Sequence, residues 1–103
     1  MSYVFNPNYL DSGARLSSYR HWPNSLVNVH ELVSAGFFYT GQSDLVKCHI
    51  CGGGIFGWRN GDSPFEVHSK NFPKCRYIQT LKGEYDTQKR SENELPQTGK
   101  ISL

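Results

Sequence analysis

A chain of 103 residues with 37% hydrophobic, 14% aromatic and 19% charged residues is sized for one small, ring-rich domain, which excludes global disorder and leaves room for a metal staple to supplement the core. A formal net charge of +2, with Lys and Arg scattered, excludes the concentrated basic face of a polyanion binder. Three cysteines cannot all pair, no N-terminal stretch has the apolar core of a signal peptide, and no apolar run approaches the roughly 20 residues that cross a bilayer. The reading is of a soluble, cytoplasmic protein with neither a disulfide framework nor a membrane span.

Residues 1–10 mix Asn, Pro and Tyr without periodicity and read as a flexible arm, ahead of one domain over 11–85 and a polar, flexible tail over 86–103. A first short helix is predicted over 11–19, with Asp11 or Ser12 as N-cap and Leu16 and Tyr19 on one face, and Trp22-Pro23 stops it. Asn28 can cap a second helix through Glu31, Leu32 and Val33, with Gly36 where a left-handed residue is wanted. Residues 37–40 and 45–49 are β-prone around Gly41-Gln42-Ser43-Asp44, a hairpin signal. Gly52-Gly53-Gly54 permits the tight backbone of a metal knuckle, and a third strand follows over 55–59 before a turn at Asn60-Gly61. Ser63-Pro64-Phe65-Glu66 is a helix start, with Ser63 as N-cap, Pro64 at the first helical position and Glu66 completing a capping box, which puts His68 in the second turn. After Pro73 a last helix is predicted over about 74–82, with Tyr77, Ile78, Leu81 and, if it runs on, Tyr85 facing inward.

The run Cys48-x2-Cys51-x16-His68-x6-Cys75 uses every cysteine and suits one tetrahedral zinc bound by three thiolates and an imidazole. Four histidines compete for the fourth place. His49 lies between two cysteines that approach the ion, so its ring should point away, and His21 and His30 precede the hairpin on other elements. His68, on a capped helix ahead of Cys75, is the choice. The plainer alternative is three buried apolar thiols beside a solvent-facing histidine. A catalytic zinc would keep a coordination position open for water, whereas Cys3His is filled by protein. The zinc-deaminase order, H-x-E before P-C-x-x-C, is reversed here, and a thiolate committed to a metal is a poor nucleophile. No enzyme is predicted.

The same residues resemble a baculovirus IAP repeat, the BIR domain of inhibitor of apoptosis proteins. The pattern is carried by Arg15, Tyr19, Trp22-Pro23, Ala35-Gly36-Phe37-Phe38-Tyr39-Thr40-Gly41, Asp44, Val46, Cys48, Cys51, Trp58, Asp62, Pro64, His68, Phe72-Pro73 and Cys75. The resemblance implies an α+β fold, a three-stranded antiparallel sheet surrounded by short α-helices, with one structural zinc and a role in protein docking. Many members bind the N-terminus of an Ala-leading peptide from caspases or from antagonists that relieve caspase inhibition, by adding it to a sheet edge. Carried over by position, the docking strand is Gly54, Ile55, Phe56 and Gly57, the indole wall is Trp58 and the amine-binding acid is Asp62. Ile55 and Trp58 also have a plain reading as core, and Asp62 as a charge at a helix N-terminus.

Groove-bearing members carry an acid where Gly57 stands, Gln or Glu where Val67 stands and a large aromatic where Asn71 stands. These departures resemble instead a grooveless subclass that docks TRAF-type adaptors or pairs with itself, and place Arg15, Tyr19 and Arg20 on a candidate contact surface with the exposed face of the last helix. A third class, a nucleic-acid-binding zinc finger, has only the Lys70, Lys74, Arg76 cluster in its favour. No thiols remain for the zincs of a RING domain, so ubiquitin transfer is not expected of these residues.

Overall fold

In a computed structural model that describes residues 3–83, a three-stranded antiparallel sheet in the order β1-β2-β3 is packed among short helices. The helices start where side-chain oxygens can take orphan backbone donors. Asp11 accepts from Ala14 N–H to open α1 (Ser12–Ser17), and Asn28 accepts from Glu31 N–H to open α2 (Val29–Ser34). Gly36 ends α2 at φ 95°, a conformation any Cβ would oppose. It also has no space for one, because a Cβ there would sit 2.7 Å from the Tyr77 ring.

The chain then enters β1 (Phe37–Tyr39), turns through residues 40–45 and returns as β2 (Val46–Cys48), with Phe37 opposite Cys48. β3 (Gly54–Ile55) pairs with β2 and is shorter than the five residues expected from sequence. The ladder stops because Gly57 turns away at φ 75° and the Asp44 carboxylate takes the N–H groups of Gly57 and Trp58, each at 2.9 Å. Ser63 caps α3 (Pro64–Asn71) by accepting from Glu66 N–H at 3.4 Å. A final helix, α4, begins at residue 76 rather than 74 and continues through residue 83; the predicted inward Tyr85 and the tail over 86–103 lie outside the described residues.

Leu32, Phe37 and Ile78 are fully buried at the centre of the core. Burial of each such side chain stabilises the fold by about 2 to 3 kcal/mol. The aromatic layer is built on Tyr19, whose hydroxyl donates to Phe37 C=O at 3.1 Å and whose ring meets Trp22 edge-on at 5.3 Å.

Two features of the first helix differ from expectation. Leu16 is 40% exposed, and the inward position belongs to Arg15, which is 4% exposed. A six-residue helix has one buried stripe, and here a guanidinium that can reach several carbonyls occupies it. Arg15 and Tyr19 are therefore interior groups and not part of a contact surface; Arg20 alone of the three is exposed. The segment assigned to the arm makes specific contacts from Phe5 onward. Phe5 N–H donates to Ile50 C=O at 3.0 Å, Asn6 N–H to His49 C=O at 2.9 Å, and the Tyr9 ring stacks on Phe38 at 4.2 Å. Aperiodic sequence carries no sign of such pairing, since backbone donors need only a matching carbonyl.

Candidate metal centre and peptide groove

Cys48, Cys51, His68 and Cys75 converge from four places: the end of β2, the loop after it, α3 and the residue before α4. Their ligand atoms all lie within 4.8 Å of one another. Cys48 Sγ and Cys75 Sγ are 3.8 Å apart, and Cys51 Sγ is 3.7 Å from His68 Nε2. A tetrahedral zinc with Zn–S bonds near 2.3 Å has S···S edges of about 3.8 Å, the separation of Cys48 and Cys75, and the other two donors lie close enough to share one ion.

Local chemistry prepares each donor. His68 Nδ1 lies 2.7 Å from Ala35 C=O, to which it donates, so the lone pair sits on Nε2 and faces the thiols. Ile50 N–H donates to Cys48 Sγ at 3.3 Å and Gly53 N–H to Cys51 Sγ at 3.4 Å, which is why the knuckle must fold back on itself. Burial pushes the Cys48 thiol up to about 12 and also raises Cys51, despite these hydrogen bonds. Without a cation among them these sulfurs stay protonated, so metal binding here would release their protons. The donor set therefore fits a divalent soft-to-borderline metal with no position left open for solvent.

His49 behaves as its place between the cysteines requires: its Nδ1 donates to Gly36 C=O at 2.7 Å, facing away from the cluster. His21 and His30 are exposed.

Burial lowers the His68 pKa from 6.5 to about 4. The neutral ring belongs to the folded state, so its contribution is present above pH 6.5 and is lost as pH falls from 6.5 toward 4, worth roughly 3 kcal/mol if nothing else titrates. A bound cation acts in the same direction. Melting temperatures across that window should fall steadily; a constant value down to pH 4 would contradict a buried neutral ring.

Gly53 makes a second testable contact. A Cβ at this position would meet the Phe72 ring at 2.6 Å, and that ring packs edge-on against His68 at 6.2 Å. Gly53→Ala should cost about 1 to 3 kcal/mol and loosen metal retention, read by thermal denaturation and by competition with a chromophoric chelator.

Beyond β3 the surface opens into a depression of about 460 Å³ lined by Gly54, Ile55, Phe56, Gly57, Arg59, Asp62, Val67, Lys70 and Asn71. Of the residues carried over by position, Trp58 alone is not part of it. Trp58 is 4% exposed and packs edge-on against Phe37 at 5.9 Å, which places its ring in the core, the plain reading the sequence allowed it. Asp62 Oδ2 already accepts from Arg59 N–H at 2.8 Å, closing the turn there, and Asn71 Nδ2 donates to Val67 C=O at 2.8 Å within its own helix.

Asp44, which the sequence marks as a turn residue and as part of the BIR pattern but gives no role at the groove, holds this rim. Partial burial would raise its carboxyl, but hydrogen bonds from Gly57, Trp58 and Asn24 keep it below the usual range. Its place at the end of the Gly41-Gln42-Ser43-Asp44 turn and in the family pattern is visible in the sequence; its partners 13 and 14 residues on are not.

The family model for the Inhibitor of Apoptosis domain, BIR, matches residues 15–79, the stretch that carries all four metal donors. The chain belongs to the BIR family. It is 45% identical over 82 residues to human baculoviral IAP repeat-containing protein 3, covering 79% of this chain and 14% of that protein. It is 51% identical over 69 residues to mouse baculoviral IAP repeat-containing protein 1g, covering 66% of this chain and 5% of that one, so it spans a small part of these relatives. Among solved structures, DIAP1 BIR1 bound to a Grim peptide aligns with a TM-score of 0.61 at 30% identity, over 64% of this chain and 68% of that one. An autoinhibited form of the same domain aligns at 0.64 and 28%, over 72% of this chain and 76% of that one. As a BIR domain the chain is a protein-interaction module and not an enzyme. No helix among the described residues is long and apolar enough to cross a membrane.

Proposed function

We propose that this chain is a zinc-held docking module of an inhibitor of apoptosis protein, acting in the cytoplasm and regulating cell death by adding a partner's extended peptide to the open edge of β3. One structural zinc on Cys48, Cys51, His68 and Cys75 would tie the knuckle, α3 and α4 together; it supplies cross-linking and no chemistry. The observation that carries the docking reading is the outer edge of β3. Cys48 N–H bonds Gly53 C=O at 3.0 Å in the register that pairs Lys47 with Gly54. Alternation along an antiparallel ladder then turns the N–H and C=O of Gly54, and next of Phe56, away from β2 toward the depression. A fourth strand would meet them there, as in β-augmentation generally.

Caspases and antagonists with Ala-leading N-termini are the partner class the family suggests, with Asp62 as the acid for the terminal amine. With Gly57 offering no carboxylate, that grip rests on one acid, and hydrogen bonds to charged groups contribute about 1.5 to 3 kcal/mol each. Titrating an Ala-leading tetrapeptide against its N-acetylated form, while following backbone amide shifts, tests the reading. Saturable movement of the Gly54 and Phe56 amides supports strand docking, and its loss on acetylation assigns the amine to Asp62. If extended peptides leave those amides unmoved up to millimolar concentration, docking at β3 fails.

A second reading, docking of a TRAF-type adaptor or of a second copy, is favoured by an apolar trough between α2, the start of α3 and α4, lined by His30, Ala35, Pro64, Phe65 and Leu81. It continues toward exposed Leu16. Sedimentation that detects a dimer abolished by Leu16→Glu would favour it over the peptide edge.

A further inference from the structure

The charges around the β3 depression point to what its occupant carries. Three ionisable side chains line it, Arg59, Asp62 and Lys70. Asp62 is partly spent, since one of its oxygens holds Arg59 N–H. Arg59 and Lys70 are both exposed, and among the described residues neither forms an ion pair. Glu66 stands four residues before Lys70 on α3 without pairing to it. Beneath the rim, Asp44 has its carboxylate occupied by Gly57 N–H, Trp58 N–H and Asn24 Nδ2, so it is turned to the loop and away from a ligand. The walls thus present two unneutralised cations beside a sheet edge with free backbone groups. An incoming ammonium gains one half-committed carboxylate and meets two like charges. An incoming carboxylate gains both cations.

We infer that the preferred occupant is an extended peptide segment bearing carboxylate side chains, paired as a fourth strand on the backbone of Gly54 and Phe56 with its acids on Arg59 and Lys70. This rests on the strand-docking reading above and names the chemistry of the segment that docks. Alternate residues of a strand share one face, so acids two apart in the peptide both turn toward the wall while its backbone stays on the sheet edge. A free N-terminus is not required, and an internal acidic stretch of a partner qualifies.

The probe is a hexapeptide in which Asp alternates with Thr, acetylated and amidated at its ends, titrated into the zinc-loaded chain at low salt. Heat and the amide shifts of Gly54 and Phe56 are followed together. Parallel titrations use the same peptide with Asn or with Lys replacing Asp. The Asp peptide should saturate and move both amides, the Asn peptide should bind on the order of five- to tenfold more weakly, and added salt should erode the difference. The Lys peptide should not saturate. Arg59→Glu combined with Lys70→Glu should reverse the order of the Asp and Lys peptides without changing the melting temperature. Equal binding of the Asp and Asn peptides at the same amides would overturn the charge inference while leaving strand docking in place. If none of these peptides moves those amides, the acidic-segment inference is overturned, and the separate titration of the Ala-leading tetrapeptide decides whether strand docking stands.

Discussion

Cys75→Ser should leave a chain with no cooperative thermal transition at neutral pH. Cys75 is 4% exposed and joins Cys48, Cys51 and His68 in a cluster whose donor atoms lie within 4.8 Å. Structural zinc contributes about 10 to 16 kcal/mol in small zinc domains, against a net folding stability of about 5 to 15 kcal/mol for domains generally. Losing one thiolate removes enough of that term to exhaust the remainder. The core is small, with a β3 only two residues long, so the packing of Ile78, Phe65 and Leu81 against it does not replace a lost cross-link of that size. Circular dichroism on heating, together with metal stoichiometry by elemental analysis, decides the matter. The wild-type chain stripped by a strong chelator should behave like the variant. A zinc-free protein that melts cooperatively at the wild-type temperature would show that the thiols are ordinary core.

Arg15→Lys should cost about 3 kcal/mol, although it preserves the charge. The guanidinium is buried and works as a hub. Its Nε donates to Val33 C=O at 3.1 Å, and its Nη1 donates to Tyr9 C=O at 2.9 Å and to Leu10 C=O at 3.1 Å, with His49 Nε2 at 3.4 Å. Since His49 Nδ1 donates to Gly36, Nε2 is the acceptor. Nη2 donates to Tyr77 Oη at 3.4 Å, and Tyr77 in turn donates to Ser34 C=O at 3.1 Å. One side chain thereby ties the N-terminal segment, the end of α2, the knuckle and α4. An ammonium on a flexible stem cannot reach these directions at once; Val33 C=O keeps Gly36 N–H, but the part-buried carbonyls of Tyr9 and Leu10 and the buried His49 Nε2 lose their donor. Urea unfolding of zinc-loaded protein measures the difference. A loss below about 1 kcal/mol would mean that solvent, and not the planar fork, satisfies those groups.

The parts of this fold that could be read along the chain are those whose causes are local. Asn28 and Ser63 announce helix starts because a cap bonds a donor three residues on, and Gly36 announces an end through its own φ, although the Tyr77 ring that also excludes a Cβ there is not visible from its neighbours. The two cysteines of the knuckle are legible for the same reason. His68 is favoured over His49 because a ring between the two cysteines is expected to turn away from their ion, and it is His68 that stands among the thiols while His49 bonds Gly36 C=O and Arg15. The groove was legible only by resemblance, and unevenly. Gly54 to Gly57 and Asp62 line the depression, but Trp58 went to the core, because packing against Phe37 depends on how far β1 lies from the loop and not on the residues beside it. Arg15 shows the same limit. An arginine in an exposed-looking helix turn gives no local sign that Val33, His49 and Tyr77 will gather around it.

The sequence alone thus determined the candidate metal quartet, the N-caps of the first three α-helices and the β1–β2 hairpin, since spacing, caps and turn residues act over a few positions. Only the tertiary structure decided which side chains are interior, how short β3 is, and which charges face its open edge. Those outcomes depend on contacts between segments far apart in the chain, and no residue's neighbours in sequence record them.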